Sequence, residues 1–331
     1  MGRDLRLYTD NASKSDLVSL IRSFGKVRTT EHLWDWPKGS VHLHWFDEDD
    51  YKSTTGVELT VFPMNDEESK YSKGKWAMHA RNTYSATCYD VSMLNQFLRK
   101  ARKEFGGNII GDYGKNRYAP LWKDESTPMS RGYTWVRQMT HDNLSSVSYS
   151  LPKEMTISPD ADDKIRTLIE LTDPSKVIYN GLIPFLVSIL EFYLKNILVI
   201  SLKYDINANE KVELYAKELQ LEKKEAINKI ANSISFQDLK NVKKALKKWL
   251  NVDIKLILNS TDSTTEKSLW SQLNALIKYR HDIIHEMGVD RSLSRDKFLE
   301  WSQVVDKTLD ILLKELADKY KLNLKSILDD I

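Results

Sequence analysis

The sequence has a single cysteine, Cys88, in 331 residues. That excludes an intrachain disulfide framework and any metal site built from several cysteines, and it suits a reducing compartment. Net charge is almost absent as well, since 49 basic residues stand against 47 acidic ones and leave +2. Indiscriminate nucleic-acid binding through overall charge is excluded, and any such contact has to come from local patches. The first ten residues, MGRDLRLYTD, lack the apolar core of a signal peptide, which points to the cytoplasm. No long hydrophobic run is uninterrupted either. The best stretch, Gly181 to Leu202, is broken by Glu191, Lys195 and Asn196. A buried helix is expected there, and no membrane partner.

What is present is an ordinary globular composition, at a length comfortable for two domains that each bury a core. The first part mixes short strands with two helices. Leu5–Tyr8, Val41–Phe46, Val57–Phe62, Trp76–Arg81 and Thr83–Tyr89 carry strand character, while Ser15–Phe24 and Val91–Phe105 read as amphipathic helices. Gly106 and Gly107 end the second helix. The order β-α-β-β-β-β-α predicts an α+β domain, a sheet with two covering helices on one face. A last strand is expected around Thr134–Met139. From His141 to Asp163 the chain is rich in Ser, Asp, Asn and Pro without helical period, and reads as a linker. The expected division is residues 1–150, a linker at 151–163, and an all-α bundle at 164–331.

Helices are expected at Asp163–Leu171, Pro174–Lys203, Lys211–Glu218, Leu221–Ile234, Phe236–Leu250 and Ser294–Tyr320, with Pro184 at a bend or at the true start of the second. Asn259–Thr265 reads as a polar loop, whose Thr265 can cap the next helix. That next helix, Leu269–Gly288, concentrates the chemistry. Leu269, Leu273, Leu276, Ile277, Ile284 and Met287 follow the spacing of a buried stripe, and Gly288 offers the stop. Beside the stripe stand Arg280, His281, Asp282 and His285.

The block Arg280-His281-Asp282-Ile283-Ile284-His285 resembles the Arg-polar-x-x-x-His motif of HEPN domains, a helical superfamily that includes many metal-independent RNases. Val187–Leu198, VSILEFYLKNIL, resembles the long hydrophobic first helix of that family, with Glu191 at its embedded acidic position. The resemblance covers about Pro174–Leu316 and leaves residues 1–150 outside it. It implies a metal-independent endoribonuclease with Arg280 and His285 as catalytic residues and no cofactor. His281, in the polar second position, would orient the phosphate or His285, and Glu191 would hold Arg280. It further implies an RNA substrate, such as tRNA or mRNA, and a homodimer whose two motifs line one cleft. RNases of this kind serve in toxin–antitoxin and antiphage defence systems, so an antitoxin or a phage-derived trigger is an expected partner. The alternative is a non-catalytic HEPN-like dimerisation or adaptor bundle with a ligand-binding N-terminal domain; in a third arrangement the N-terminal domain is the active part.

The residue types suit the chemistry. Cleavage without metal needs a base for the ribose 2′-hydroxyl, an acid for the leaving 5′-oxygen, and positive charge on the phosphate. Imidazole and guanidinium supply these. Positions five apart on a helix lie about 140° apart, so Arg280 and His285 do not share a face. Read without the resemblance, Arg280 is a structural group paired with Glu191 or Asp282, beside a capping His285.

His281 and His285 have a spacing that suits zinc, but neither the Glu of that motif nor a third ligand is near. His42, His44 and His79 fall on neighbouring strands without a matching acidic or cysteine ligand, so no metal is expected. Lys240, Lys243, Lys244, Lys247 and Lys248 line the polar faces of one helix and are candidates for an RNA backbone track, or simply its solvated side. Tyr113, Lys115, Arg117 and Tyr118 form a basic-aromatic loop that is a candidate partner-binding surface. Trp34, Trp36, Trp45 and Trp76 are expected mainly in the core.

Overall fold

The computed structural model describes residues 2–31, 36–158, 160, 162–259, 268–286 and 288–324. The chain divides into two compact units between Pro128 and Met129.

The first unit is an antiparallel sheet covered on one face by two helices. Its elements are β1 (Arg3–Tyr8), α1 (Lys14–Arg22), β2 (Val27–Thr29), β3 (Val41–Trp45), β4 (Val57–Pro63), β5 (Trp76–Asn82), α2 (Cys88–Phe105) and β6 (Asn108–Gly111). The strands lie in the order β2-β3-β4-β5-β1-β6. Alternation along the strands sends Leu5, Leu7, Leu43, Trp45, Leu59, Val61, Met78 and Ala80 into one core with Leu17, Ile21, Leu94 and Phe97. Both helices start at capping boxes, Ser13 with Asp16 and Thr87 with Asp90. The expected fold class holds here.

Local expectations fail at the start of α2, and two short strands go unforeseen. Thr83–Tyr89 is not a strand: the Thr87–Asp90 box starts α2 at Cys88, three residues before the expected Val91. The short strands β2 and β6 carry too few residues to show a period. Gly107 has φ 101°, and a Cβ there would lie 1.9 Å from the Tyr8 carbonyl oxygen. Only glycine lets the chain turn so tightly from α2 into β6.

The second unit is helical. It contains α3 (Pro128–Ser150), α4 (Asp163–Thr172), α5 (Pro174–Tyr204), α6 (Ile206–Leu219), α7 (Lys223–Asn232), α8 (Leu239–Leu250), α9 (Ile254–Asn259), α10 (Leu269–Glu286) and α11 (Arg295–Tyr320). α3 corrects two expectations, the strand at 134–139 and the linker from His141. Tyr133, Val136, Thr140, Leu144 and Val147 are buried at helical spacing. The polar residues that suggested a linker fold their hydroxyls back onto the helix: Thr140, Ser146 and Ser148 each donate to the carbonyl four residues earlier. Arg137 clamps α3 to α11 through Asp306 and Asp310, both at 2.8 Å, and the Tyr133 hydroxyl lies 2.6 Å from that of Ser201 in α5.

The segment after α3 is tied down as well. The Pro152 carbonyl accepts from Tyr179 at 2.6 Å, Glu154 pairs with Lys176 at 3.2 Å, and the Met155 amide donates to Asp173. These contacts make 151–155 part of the helical unit rather than a free tether, and α3 lies in that unit although 1–150 was the expected first domain. Pro184 sits inside α5. α5 is long and apolar enough to cross a membrane, yet most of its apolar window is buried inside the unit.

Candidate functional site

α10 packs against α5, α9 and α11, with Leu269, Leu273 and Leu276 buried. The stripe does not continue as expected, because Ile284 is exposed. Met287 and the loop residues to Thr265 lie outside the described residues. Two contacts fix the direction of α10 relative to α5. Arg280 acts electrostatically on Glu191, and ten residues on, Asp290 exchanges hydrogen bonds with Asn180. The two helices therefore run antiparallel, with the motif facing the middle of α5.

Arg280 is half-buried. Its Nη1 donates to Oε1 of Gln237 at 3.2 Å, and its Nε is buried with no hydrogen-bond partner among the described residues. Gln237 also hydrogen-bonds Glu191. Burial pushes the Glu191 carboxyl above the usual carboxylate range, and Arg280 and Gln237 offset that only in part. The result is a short polar chain, Glu191–Gln237–Arg280, in which a neutral amide stands between the two charges. Glu191 and Arg280 are thus related by charge and through Gln237. Gln237 sits in the turn before α8, where no sequence period flags it.

His281 and His285 lie on the exposed side of α10, their rings 4.1 Å apart between centroids. Asp282 is half-buried. The exposed histidines and the inward-turned Arg280 thus occupy different sides of the helix, as the 140° separation requires. Just before the motif, Tyr279 donates to Asp290 at 2.6 Å, and burial together with that carboxylate raises its pKa. Asp290 takes further bonds from Ser292. The connection after α10 is thereby pinned to α5, which fixes where the exposed histidines stand.

α8 follows Gln237 directly. Asp238 caps it, so it starts at Leu239, three residues later than the expected Phe236, and Asn251 ends it in the left-handed region. Lys240, Lys244, Lys247 and Lys248 are exposed, while Lys243 is half-exposed and lies 3.6 Å from Asp253.

The candidates in the first unit are more committed to structure. Tyr113 and Tyr118 pack against the core, and Arg99 lies 4.8 Å over the Tyr118 ring, leaving Lys115 and Arg117 as the exposed part of that loop. His42 meets Thr60, His44 meets the Thr55 carbonyl, and His79 meets Asp4 at 2.8 Å. Among the described residues no group of three or more His, Cys, Asp or Glu is placed to hold a metal. Trp45 is buried in the core, and Trp36 covers His79 and Phe62 on the opposite sheet face. Trp34 lies outside the described residues.

The RiboL-PSP-HEPN family model matches residues 159–318. No curated protein and no solved structure matches the chain.

Proposed function

The C-terminal part of the chain carries a HEPN-superfamily domain, and from that premise we propose that it is a metal-independent endoribonuclease. The observation that carries this reading is the state of Arg280. A half-buried guanidinium held by a neutral amide, with one N–H unpartnered, keeps its charge for an incoming anion. Arg137 in the same unit, by contrast, spends its charge on the carboxylates of Asp306 and Asp310, although one of its own N–H groups is also buried without a partner among the described residues.

In this reading Arg280 binds the scissile phosphate and stabilises the charge that builds on it. His285 moves the proton, with His281 stacked beside it as the orienting group. The 2′-oxygen attacks phosphorus as its proton leaves to a base, the bond to the 5′-oxygen breaks, and that oxygen takes a proton from an acid. The products are a 2′,3′-cyclic phosphate and a 5′-hydroxyl. Because Arg280 and His285 face different sides of α10, base, acid and phosphate ligand come together when two copies pair. The exposed lysines of α8 begin next to Gln237 and supply a salt-sensitive track for the RNA backbone. An effector role in antiphage defence or as a toxin belongs to the same reading, and shows as growth inhibition on expression.

The test is RNA cleavage by the full chain in excess chelator, with end-group analysis. Cyclic phosphate ends, inert DNA and loss of activity in His285→Ala are expected. A strict requirement for added divalent metal, or full activity in His285→Ala, rejects the mechanism. A folded, RNA-inert chain points instead to an adaptor bundle.

A further inference from the structure

α2 buries one side in the sheet unit and turns the other to solvent. On the outer side its last turns, RKARKE from Arg99 to Glu104, expose Arg99, Lys100 and Lys103. Arg99 and Lys100 diverge by about 100° around the helix, and each meets a different neighbour. Lys100 donates to the Ser23 hydroxyl at 2.9 Å and lies 4.8 Å over the Phe24 ring. It therefore adjoins the exposed Arg22 at the end of α1. Arg99 lies 4.8 Å over the Tyr118 ring, next in the chain to the exposed Arg117 and close to the exposed Lys115. That loop is held against α2 by Asn95, which exchanges hydrogen bonds with the Ala119 backbone at 2.9 and 3.0 Å. Six exposed cations thus form one band across the outer side of α2.

The charge of this band is unmatched. Among the described residues none of the six pairs with a carboxylate, and the partners that hold them are neutral: the Ser23 and Thr29 hydroxyls and the Phe24 and Tyr118 rings. Other cations of the same unit are matched, Lys26 and Lys52 by Asp47 and Arg6 by Glu68. The acidic residues beside the band are Glu104 and Asp112, and Asp112 accepts from the Asp4 amide. Arg99 and Lys103, four apart on one helix, repel each other and weaken it slightly. The helix dipole favours cations in the last turn, at Arg102 and Lys103. It gives no reason for Arg99, or for a loop carrying Lys115 and Arg117 to lie alongside.

We propose that this band binds the phosphate backbone of RNA, which gives the sheet unit a part in holding the substrate. Charge complementarity selects the occupant. Each phosphate neutralised by an unmatched cation releases a counterion, and three of the six are arginines, whose forked donors suit phosphate oxygens. A membrane or a protein partner would need apolar anchors as well. The band exposes no large apolar side chain among the described residues. Leu121, exposed nearby in sequence, lies on the segment that runs back toward the start of α2, where the Cys88 thiol meets the Trp122 carbonyl. The choice of RNA as the polyanion rests on the RNase reading; the unmatched charge does not.

The test is fluorescence anisotropy of a labelled single-stranded RNA at stepped salt, with the full chain carrying His285→Ala so that binding is read without cleavage. Arg99→Gln, Lys103→Gln and Arg117→Gln together should weaken binding at least ~10-fold with unchanged circular dichroism. They should also lower the slope of log affinity against log salt by about 2, since each lost phosphate contact removes roughly 0.7. Lys103→Gln and Arg117→Gln, taken singly, should each lower it by about 0.7, and they carry the decision if the triple variant loses fold. Unchanged affinity and slope in these variants overturn the proposal, as does a chain that does not bind RNA. Tighter binding of polyglutamate than of RNA, lost in the same variants, also overturns it and assigns the band to an acidic protein. The RNase reading is judged separately, by cleavage with His285 intact. Weakened RNA binding in the triple variant, beside a wild-type chain that does not cleave, keeps the band and rejects the nuclease.

Discussion

The two units use their charged side chains in different ways. In the sheet unit the buried carboxylates Asp47 and Asp90 are tied into hydrogen-bond networks, although the Asn82 amide and one Asp90 oxygen are buried without a partner among the described residues. Asp47 is buried and receives Lys26, the Tyr89 hydroxyl and the Asp49 amide. Asp90 caps α2 and also accepts the Thr54 amide. The helical unit does the same at Arg137 and Lys176, but not at its motif: there Arg280 has one neutral partner and two histidines stand exposed. Charge already matched by an opposite charge reports on folding, whereas a half-buried guanidinium whose hydrogen-bond partner is a neutral amide keeps its charge for an anion. Substitutions in the two settings should fail differently.

The largest effect is expected at the open group. Arg280→Ala and His285→Ala should each lower RNA cleavage by ~10²–10⁴-fold. His285→Ala should shift unfolding by less than about 0.5 kcal/mol, as for other exposed positions. Denaturant titration beside a cleavage assay checks both, and a large stability loss in His285→Ala would erase the contrast.

Asp47→Ala should do the reverse, costing about 2 kcal/mol of sheet-unit stability because the buried carboxylate's hydrogen bonds to the Asp49 amide and the Tyr89 hydroxyl are lost, while its partner Lys26 is partly exposed, with cleavage per folded molecule unchanged. Burial pushes the Asp47 carboxyl up, but Lys26, the Asp49 amide and Tyr89 outweigh it, so its pKa falls below the usual range. A depressed carboxylate contributes stability above its unfolded pKa of about 3.9 and loses it as pH falls through the lower folded value. The wild-type advantage over Asp47→Ala should therefore shrink only below about pH 4, in urea titrations at stepped pH.

Arg137→Ala comes next, at about 2 kcal/mol, since its acidic partners are partly exposed. A chain beginning at Met129 should fold cooperatively, and one beginning at residue 151 should not, as followed by thermal circular dichroism. The smallest effect is at Glu191. Its raised pKa means that protonation favours the folded state, and that this contribution is lost as pH rises through the folded value. Glu191→Gln should raise stability at pH 7 by less than about 1 kcal/mol and make no difference well below pH 4. Lowered cleavage in the same variant would show that the charge itself, not the hydrogen bond through Gln237, positions Arg280.

The sequence made the long amphipathic elements legible, along with the residues of the motif, because periodicity and side-chain type are local properties. α1, α2, β3, β4, β5, α5 and α11 fall where their patterns place them. Three- and four-residue strands hold no full period, so β2 and β6 were missed. α3 was misread because β-branched Thr134 and Val136 mimic a strand, and its serines and threonines mimic a linker until their hydroxyls are seen bonded to their own helix. The motif's immediate neighbours were harder still. Gln237 reaches Arg280 across 43 residues of sequence, a relation set by tertiary packing alone.

One feature of the sheet has a bearing on how the protein behaves at high concentration. The strands at its two margins are its shortest, three residues in β2 and four in β6. An unpaired strand margin is a row of backbone donors and acceptors that can recruit strands from other molecules and seed insoluble fibres. Margins this short, one of them carrying Arg28, offer too few consecutive groups to hold an incoming strand in register. Crowded solutions of the folded protein should accordingly stay clear of sheet-mediated precipitation.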